Sequence, residues 1–537
     1  MSEPPEGSDP SGLVVTLHPS RRVERVWYPL DAMLYNMQVM NVLMGFALAF
    51  LTAYMIYPRG NWVIASLLAV VFCAAEALVY AYLAACMPRS GGEYYFQARI
   101  LSTGTGSVFC FSAIVLGGTM WVAVTGWCAA QLAVGPLLVT LGIAFDSGTL
   151  MSAAAWTRSA WGVLFWSIVV IIWSAVPIIL GMSTYARWQR WFSLAAAAGL
   201  AAVVVALLRT HDLGSLPVYH EAVSRAAALG YSPGTGSYIS QTIAILPLAG
   251  YMLVYAGWST QQAGETRDAD RLRAQVYIIA GAMLASAALS AVIGGLVAAK
   301  IGPQTLGSAA FLFLEHPEAM PVPTVPFLWW ADISPSARVF AVVVALVFNA
   351  LFWMNAPNPT LAASRVLMAM SSDRILPRWV GHLNARTKAP VKAITLFSVM
   401  CVAPCLIYAF TPYWRLTLNT VALVNILAFA VTCATGALFP FVRRELYRES
   451  AASRYELFGI PMITLTGVAF VLFTVWVVAR YTVDFGLSLG LGLVVPILTT
   501  LVLYAASFGV YVVSGLYRRS RRGTELEVWY TESPLDR

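Results

Sequence analysis

Charge is what this 537-residue chain has least of. Asp, Glu, Lys and Arg make up 11% of it, against about 25% in a typical soluble domain. That shortfall excludes a soluble globular fold, and a 59% hydrophobic content takes its place. The short alternating segments that build a membrane β-barrel are also missing. Histidine is scarce, with five residues scattered through predicted loops and tails. No metal-ligand spacing, Ser/His/Asp arrangement or phosphate-binding glycine loop occurs, so neither an enzyme nor a cofactor is expected. The seven cysteines all fall within predicted helices, which argues against a disulfide framework. No apolar signal segment precedes the first predicted helix. The opening "MSEPPEGSDPSG" is acidic and rich in Pro and Gly, so residues 1–26 are expected to form a disordered cytoplasmic tail.

What the chain does have is apolar runs of about 20 residues, the length a helix needs to cross the hydrocarbon core. Twelve helices are predicted, near 29–57, 61–86, 105–143, 159–182, 191–209, 238–262, 274–299, 337–370, 390–410, 414–441, 459–480 and 485–516. The third and eighth exceed a perpendicular span and must tilt or project. The net charge is +8. With the N-terminus in the cytoplasm, inner segments carry roughly 25 of the Lys and Arg residues and outer ones roughly 8, a positive-inside bias. Inner clusters are Arg21, Arg22 and Arg25; Arg374, Arg378, Arg386, Lys388 and Lys392; Arg443, Arg444 and Arg448; and Arg518, Arg519, Arg521 and Arg522. Orientation therefore explains the excess without a nucleic-acid partner. Lipid is the expected surrounding, both termini are expected in the cytoplasm, and a prokaryotic inner membrane is the expected location.

"YMLVYAGWSTQQAGE", residues 251–265, starts as a membrane helix and turns polar halfway. Lipid offers no water to unsatisfied backbone, so an interruption survives only inside protein or beside a cavity. The first helix, "LDAMLYNMQVMNVLMGFALAF", is interrupted too, by Asn36, Gln38 and Asn41. Helices one and six lie five apart. That spacing suits two inverted five-helix repeats, about 27–209 and 238–442, followed by two extra helices at about 459–516 and a cytoplasmic tail at 517–537. Paired broken helices mark the substrate site in transporters so built, although Asn and Gln also bridge neighbouring helices structurally. The predicted site comprises Asn36, Met37, Gln38, Met40 and Asn41 with Tyr255, Ala256, Gly257, Trp258 and Ser259. Gly257 is expected to take angles closed to other residues. That would expose carbonyls of the outer half to an ammonium and amides of the inner half to an anion. Trp258 is a candidate aromatic gate with affinity for a cation.

Three stretches carry a family resemblance. "MPRSGGEYYFQARIL" (residues 87–101) resembles the loop after the second helix of the amino acid–polyamine–organocation (APC) superfamily. "YAGWSTQQAGE" resembles its broken sixth helix. "SRVLMAMSSDRILP" (364–377) followed by "KAPVKAI" (388–394) resembles its eighth helix, inner loop and ninth helix. The resemblance implies twelve helices, two inverted five-helix repeats and secondary transport by alternating access. The chain departs from the family at helix one. Many members hold the substrate carboxylate there on a Gly-rich backbone, where this sequence has Gln38, Val42 and Met44. Side chains crowd such an approach. Two alternatives stay open: a headgroup other than an ordinary α-amino acid, or binding through Asn and Gln amides.

Other candidates follow from chemistry. Glu76 is the one acid deep in a predicted helix, so it is a candidate for proton coupling, with Tyr80 one turn on as its hydrogen-bond partner. Pro357 and Pro359 free the carbonyls of Trp353 and Asn355. With Asn349, Asn358 and Thr360 these make an oxygen-rich spot for a cation such as Na⁺, the alternative being a healed proline kink. Trp121 and Asn425 are further candidates for the substrate site. Arg365 is expected to pair with Glu93 or Glu265 as a gate. The leading function is a secondary transporter of amino acids or related amines, coupled to H⁺ or Na⁺ or working by exchange. The alternative is a transporter-like sensor that binds without transport. Oligomeric state is left open.

Overall fold

The computed structural model describes residues 24–40, 44–334, 337–411, 414–489 and 494–522. Two helices replace the first predicted one: α1 (Pro29–Val39) and α2 (Met44–Ile56). Pro29 opens α1, where its missing N–H is not needed. The Asp31 carboxylate accepts the Tyr28 amide at 2.9 Å. Asn41 and Val42 lie outside the described residues. Then follow α3 (Trp62–Cys86), α4 (Gly92–Ile100), α5 (Thr103–Ala144), α6 (Ala160–Ile179) and α7 (Met182–Arg209). The second half holds α8 (Tyr238–Leu253), α9 (Leu272–Ile301), α10 (Arg338–Asn355), α11 (Asn358–Ser372), α12 (Val391–Phe410) and α13 (Trp414–Val442). The chain closes with α14 (Met462–Leu489) and α15 (Val494–Arg522). Strand among the described residues is confined to the hairpin Glu456–Leu457 with Ile460–Pro461.

Eleven helical stretches are long and apolar enough to span a membrane among the described residues. The twelfth predicted span is the divided first helix, whose halves are each too short alone. Two boundaries need correction: α7 begins at Met182 rather than near 191, and the last two spans divide between Leu489 and Val494 rather than near 480–485, the final one running on to Arg522. Arg187 and Arg190 mask the first turns of α7 in hydropathy, yet arginine is a good helix former. The third span, α5, runs for 42 residues. It contains two π-helical turns, Phe111–Leu116 and Ala129–Val134.

The packing repeats itself on moving five spans along. α1 packs on α9 as α8 packs on α3, and α7 packs on α10 as α13 packs on α5. α5 meets α12 as α11 meets α6, while the pairs α3–α9 and α6–α12 map onto themselves. This is the signature of two five-helix repeats, with α14 and α15 outside the scheme. The most apolar window of α5 is 72% buried and that of α15 only 11%, so α5 is central and α15 peripheral.

Candidate functional site

The sixth span breaks where the polar residues begin. α8 ends at Leu253, residues 254–257 turn, and short 3₁₀ helices cover Trp258–Gln261 and Ala263–Glu265. The expected reason for Gly257 is corrected. Its angles, φ −82° and ψ 2°, are open to other residues. A glycine is needed because a Cβ would stand 2.4 Å from Cδ1 of the Tyr80 ring. Tyr80 therefore backs the break instead of serving Glu76. Its hydroxyl and both Glu76 carboxylate oxygens are buried without a hydrogen-bond partner among the described residues.

Asn36 joins the two interrupted helices. Its Oδ1 accepts the Ser259 amide at 2.7 Å, and its Nδ2 donates to Ser259 Oγ at 3.0 Å and to the Ile278 carbonyl of α9 at 3.3 Å. The Ser259 amide, one of those expected to face an anion, is thus already taken. The Thr260 amide bonds to the Gly257 carbonyl in the same way. Gln38 turns away, donating to Ser193 of α7 at 2.9 Å. Asn425 of α13 does reach the break, donating to the Tyr255 hydroxyl at 3.0 Å. Tyr255 stands 5.6 Å from Trp258 and 5.4 Å, edge-on, from Phe429. Trp258 is buried, its indole N–H unpartnered among the described residues. Met40 and Ala256 are buried, and Met37 and Trp121 half-buried, in the surrounding core.

At the proline kink between α10 and α11 the chain's own donors reach one of the two carbonyls expected to be freed, that of Trp353, and the carbonyl of Ala356 beside it. The Trp353 carbonyl receives the Trp173 indole N–H at 2.6 Å, and that of Ala356 the Ser174 hydroxyl at 2.8 Å. Asn349 spends its amide on the Ala133 and Ala345 carbonyls, away from the kink. Asn358 accepts from Tyr35 at its carbonyl and from Tyr185 at Oδ1. The Asn355 amide donates to the Gln38 carbonyl, which leaves its Oδ1 unpartnered. Thr360 is buried beside them. Among the described residues, no three His, Cys, Asp or Glu side chains gather as a metal site.

Beyond the break the chain is clamped. Arg365 of α11 holds Glu265 with two bonds, 2.7 and 2.9 Å, and both side chains are 0–1% exposed. Of its two expected partners, Arg365 takes Glu265. Glu93 instead lies beside Thr432 of α13, whose hydroxyl is 3.5 Å from Oε2. Burial pushes the Glu93 carboxyl up to about 7, with the nearby Tyr80 hydroxyl, Thr432 hydroxyl and Gln261 amide working the other way. The Gly91 amide donates to the Gln261 carbonyl at 2.8 Å. The Trp27 amide bonds to the Glu265 carbonyl at 3.0 Å, and the Arg267 amide to that of Trp27 at 2.8 Å. Gly91 (φ +107°) and Gly92 (φ +28°) occupy angles that side chains disfavour. A Cβ on Gly92 would meet the Thr260 carbonyl at 2.7 Å. Asp31 forms a two-bonded pair with Arg190 of α7. Sequence reasoning missed Tyr35, Phe429, Thr432 and the Asp31–Arg190 pair. Besides the expected Arg365 pair, the Gly-Gly of "SGGE" was a local signal of the clamp.

A family model described as amino acid permease matches residues 36–503. No curated protein matches the sequence. Among solved structures, the crystal structure of MhsT in complex with L-phenylalanine is similar, with a TM-score of 0.56 and 11% identity. The match covers 84% of this chain and 98% of that one. At that identity the likeness speaks for the fold.

Proposed function

The chain belongs to the amino acid permease family, and from that membership we propose that it carries amino acids or related small amines across the membrane by alternating access. As a secondary transporter it would draw on a proton or sodium gradient or on exchange. The observation that carries this reading is the Asn36 bridge between the two interrupted helices. It ties both half-helices and α9 at one point, where a solute can be felt by both repeats. Tyr255, Trp258 and Phe429 line the same spot with aromatic faces. Such faces favour an ammonium and an apolar side chain. L-Phenylalanine, the solute named with MhsT, is therefore a suitable first probe.

The Arg365–Glu265 pair, the 90–92 loop and the backbone bridge from Trp27 to Thr266 close one end of the bundle around this site. With the termini in the cytoplasm, as the Lys/Arg bias argues, that is the inner gate and the structure is shut toward the cytoplasm. The test is uptake into proteoliposomes of labelled amino acids, amines and polyamines, with proton and sodium gradients varied separately. Saturable uptake or counterflow of at least one class is expected. Binding without either would turn the reading to a sensor.

A further inference from the structure

Behind the broken segment lies a polar centre whose chemistry the solute site does not use. Glu93 is fully buried, at 0% exposure, and Glu76 is 1% exposed. Neither forms an ion pair among the described residues. Glu93 Oε1, both Glu76 oxygens, the Tyr80 hydroxyl, Gln97 Oε1 and both polar atoms of the Gln261 amide are buried without hydrogen-bond partners among the described residues. Thr432 links the centre to α4 and α13, accepting from Gln97 at 2.9 Å and lying 3.5 Å from Glu93.

On the transport reading above, we propose that Glu93 is the group that takes up and returns the driving proton, and that residues 90–92 pass its change of charge to the broken sixth span. Three observations support this. First, among the described residues no cation compensates a negative Glu93. The titratable groups within Coulombic reach are Glu76 and Tyr80 of α3, Cys110 of α5 and Cys433 of α13. Arg365 of α11 is committed to Glu265, and Asp373, which follows α11, to Arg99 and Tyr94. A buried carboxylate without a cation favours its neutral form, and a second negative charge on Glu76 would oppose it further. Second, the neutral acid has a donor that the ion lacks. The unpartnered oxygens of Gln97 and Gln261 are acceptors nearby, on the two elements that Glu93 joins. Third, the link to the break is through backbone. Glu93 follows directly on Gly91 and Gly92, which touch Thr260 and Gln261 without intervening side chains. Ser90 forms a bridge with Gln262 and donates to Glu265 at 3.4 Å. A shift of the first turn of α4 on ionisation is therefore felt both at the break and at the gate.

Two readouts on the full-length protein test the proposal. Infrared difference spectra of the purified protein should show a protonated-carboxyl band lost as pH rises through about 7, and that loss should be absent in Glu93→Gln. Labelled L-phenylalanine and the other solutes of the panel are then offered to proteoliposomes across about one pH unit, a gradient that supports up to about tenfold accumulation at one proton per solute. The ratio of uptake with and without the gradient should fall to one in Glu93→Gln. In Glu93→Asp, which keeps a titrating group, some response should remain. A Glu93→Gln variant that still responds to the gradient, or still shows the carboxyl titration, overturns the proposal. So does wild-type uptake driven by sodium and indifferent to pH, which leaves the transport reading standing. If no solute moves at all, the transport reading fails on its own, and the infrared titration still decides whether Glu93 holds the proton.

Discussion

Glu265→Gln removes one half of a buried ion pair, and its cost can be worked out from the contacts. In the wild type the Arg365 guanidinium gives two bonds to the Glu265 carboxylate and one, at 3.1 Å, to Ser364 Oγ, all away from solvent. The amide of Gln offers one neutral oxygen in place of two charged ones. The guanidinium stays charged, because arginine does not give up its proton in proteins. Breaking a buried pair from one side costs about 3–5 kcal/mol, whereas replacing both partners with packed apolar groups is often neutral. Glu265→Gln and Arg365→Met should each destabilise the protein by about that amount, and the double variant by much less than their sum. The measurement is equilibrium unfolding of the purified protein in mixed detergent for the complete double-mutant cycle. The same change should loosen the clamp, so cysteines placed at Trp27 or Gln262 should react faster with a soluble maleimide. A loss below about 1 kcal/mol in Glu265→Gln, the range of an exposed pair, would show that water reaches this site and refute the reasoning.

Gly257→Ala should be poorly tolerated, losing most uptake, because its Cβ meets the Tyr80 ring at 2.4 Å; Gly257→Ala combined with Tyr80→Ala should regain part of it. Glu93 should make stability depend on pH. Its folded pKa of about 7 lies above the ordinary 4.5, so its contribution is complete below about 4.5 and is lost as pH rises through 7. That loss is on the order of 3 kcal/mol, and the pH slope should be missing in Glu93→Gln; equal slopes in the two proteins would argue against it. Recognition should depend more on the amine than on the carboxylate. Decarboxylated amines are expected to compete within about tenfold of their parent amino acids, about 1.4 kcal/mol, and a consistently larger gap would point to a carboxylate site despite the missing glycines.

The spans and the break were legible because both are written locally. Apolar runs set the number of crossings, and a polar run after Tyr255 has nowhere to go in lipid except into a break. Arg365 was legible as a gate residue near the inner end of the eighth helix, with Glu93 and Glu265 as alternative partners between which the sequence did not choose. What escaped were contacts between residues far apart in the chain. Nothing around Gly257 announces that Tyr80 packs against it. Likewise, nothing near Pro357 says that Trp173 and Ser174 of α6 will supply donors to the Trp353 and Ala356 carbonyls. The start of α7 was hidden for another reason: Arg187 and Arg190 look like a loop to a hydropathy scale but are good helix formers.

The two π-helical turns of α5 have a consequence for how relatives should be aligned. A π turn takes one residue more than an α turn, and one residue advances an α-helix by about 100°. The residues between the two turns, Trp121 among them, therefore face a direction that uninterrupted α geometry would not give, and those beyond Ala129–Val134 are displaced twice. An alignment that treats α5 as one regular helix will assign the wrong face to most of its middle. Where a relative lacks either turn, a one-residue gap belongs inside the membrane, at Phe111–Leu116 or Ala129–Val134. A deletion there would change which side chains point inward while leaving the ends of the helix in place.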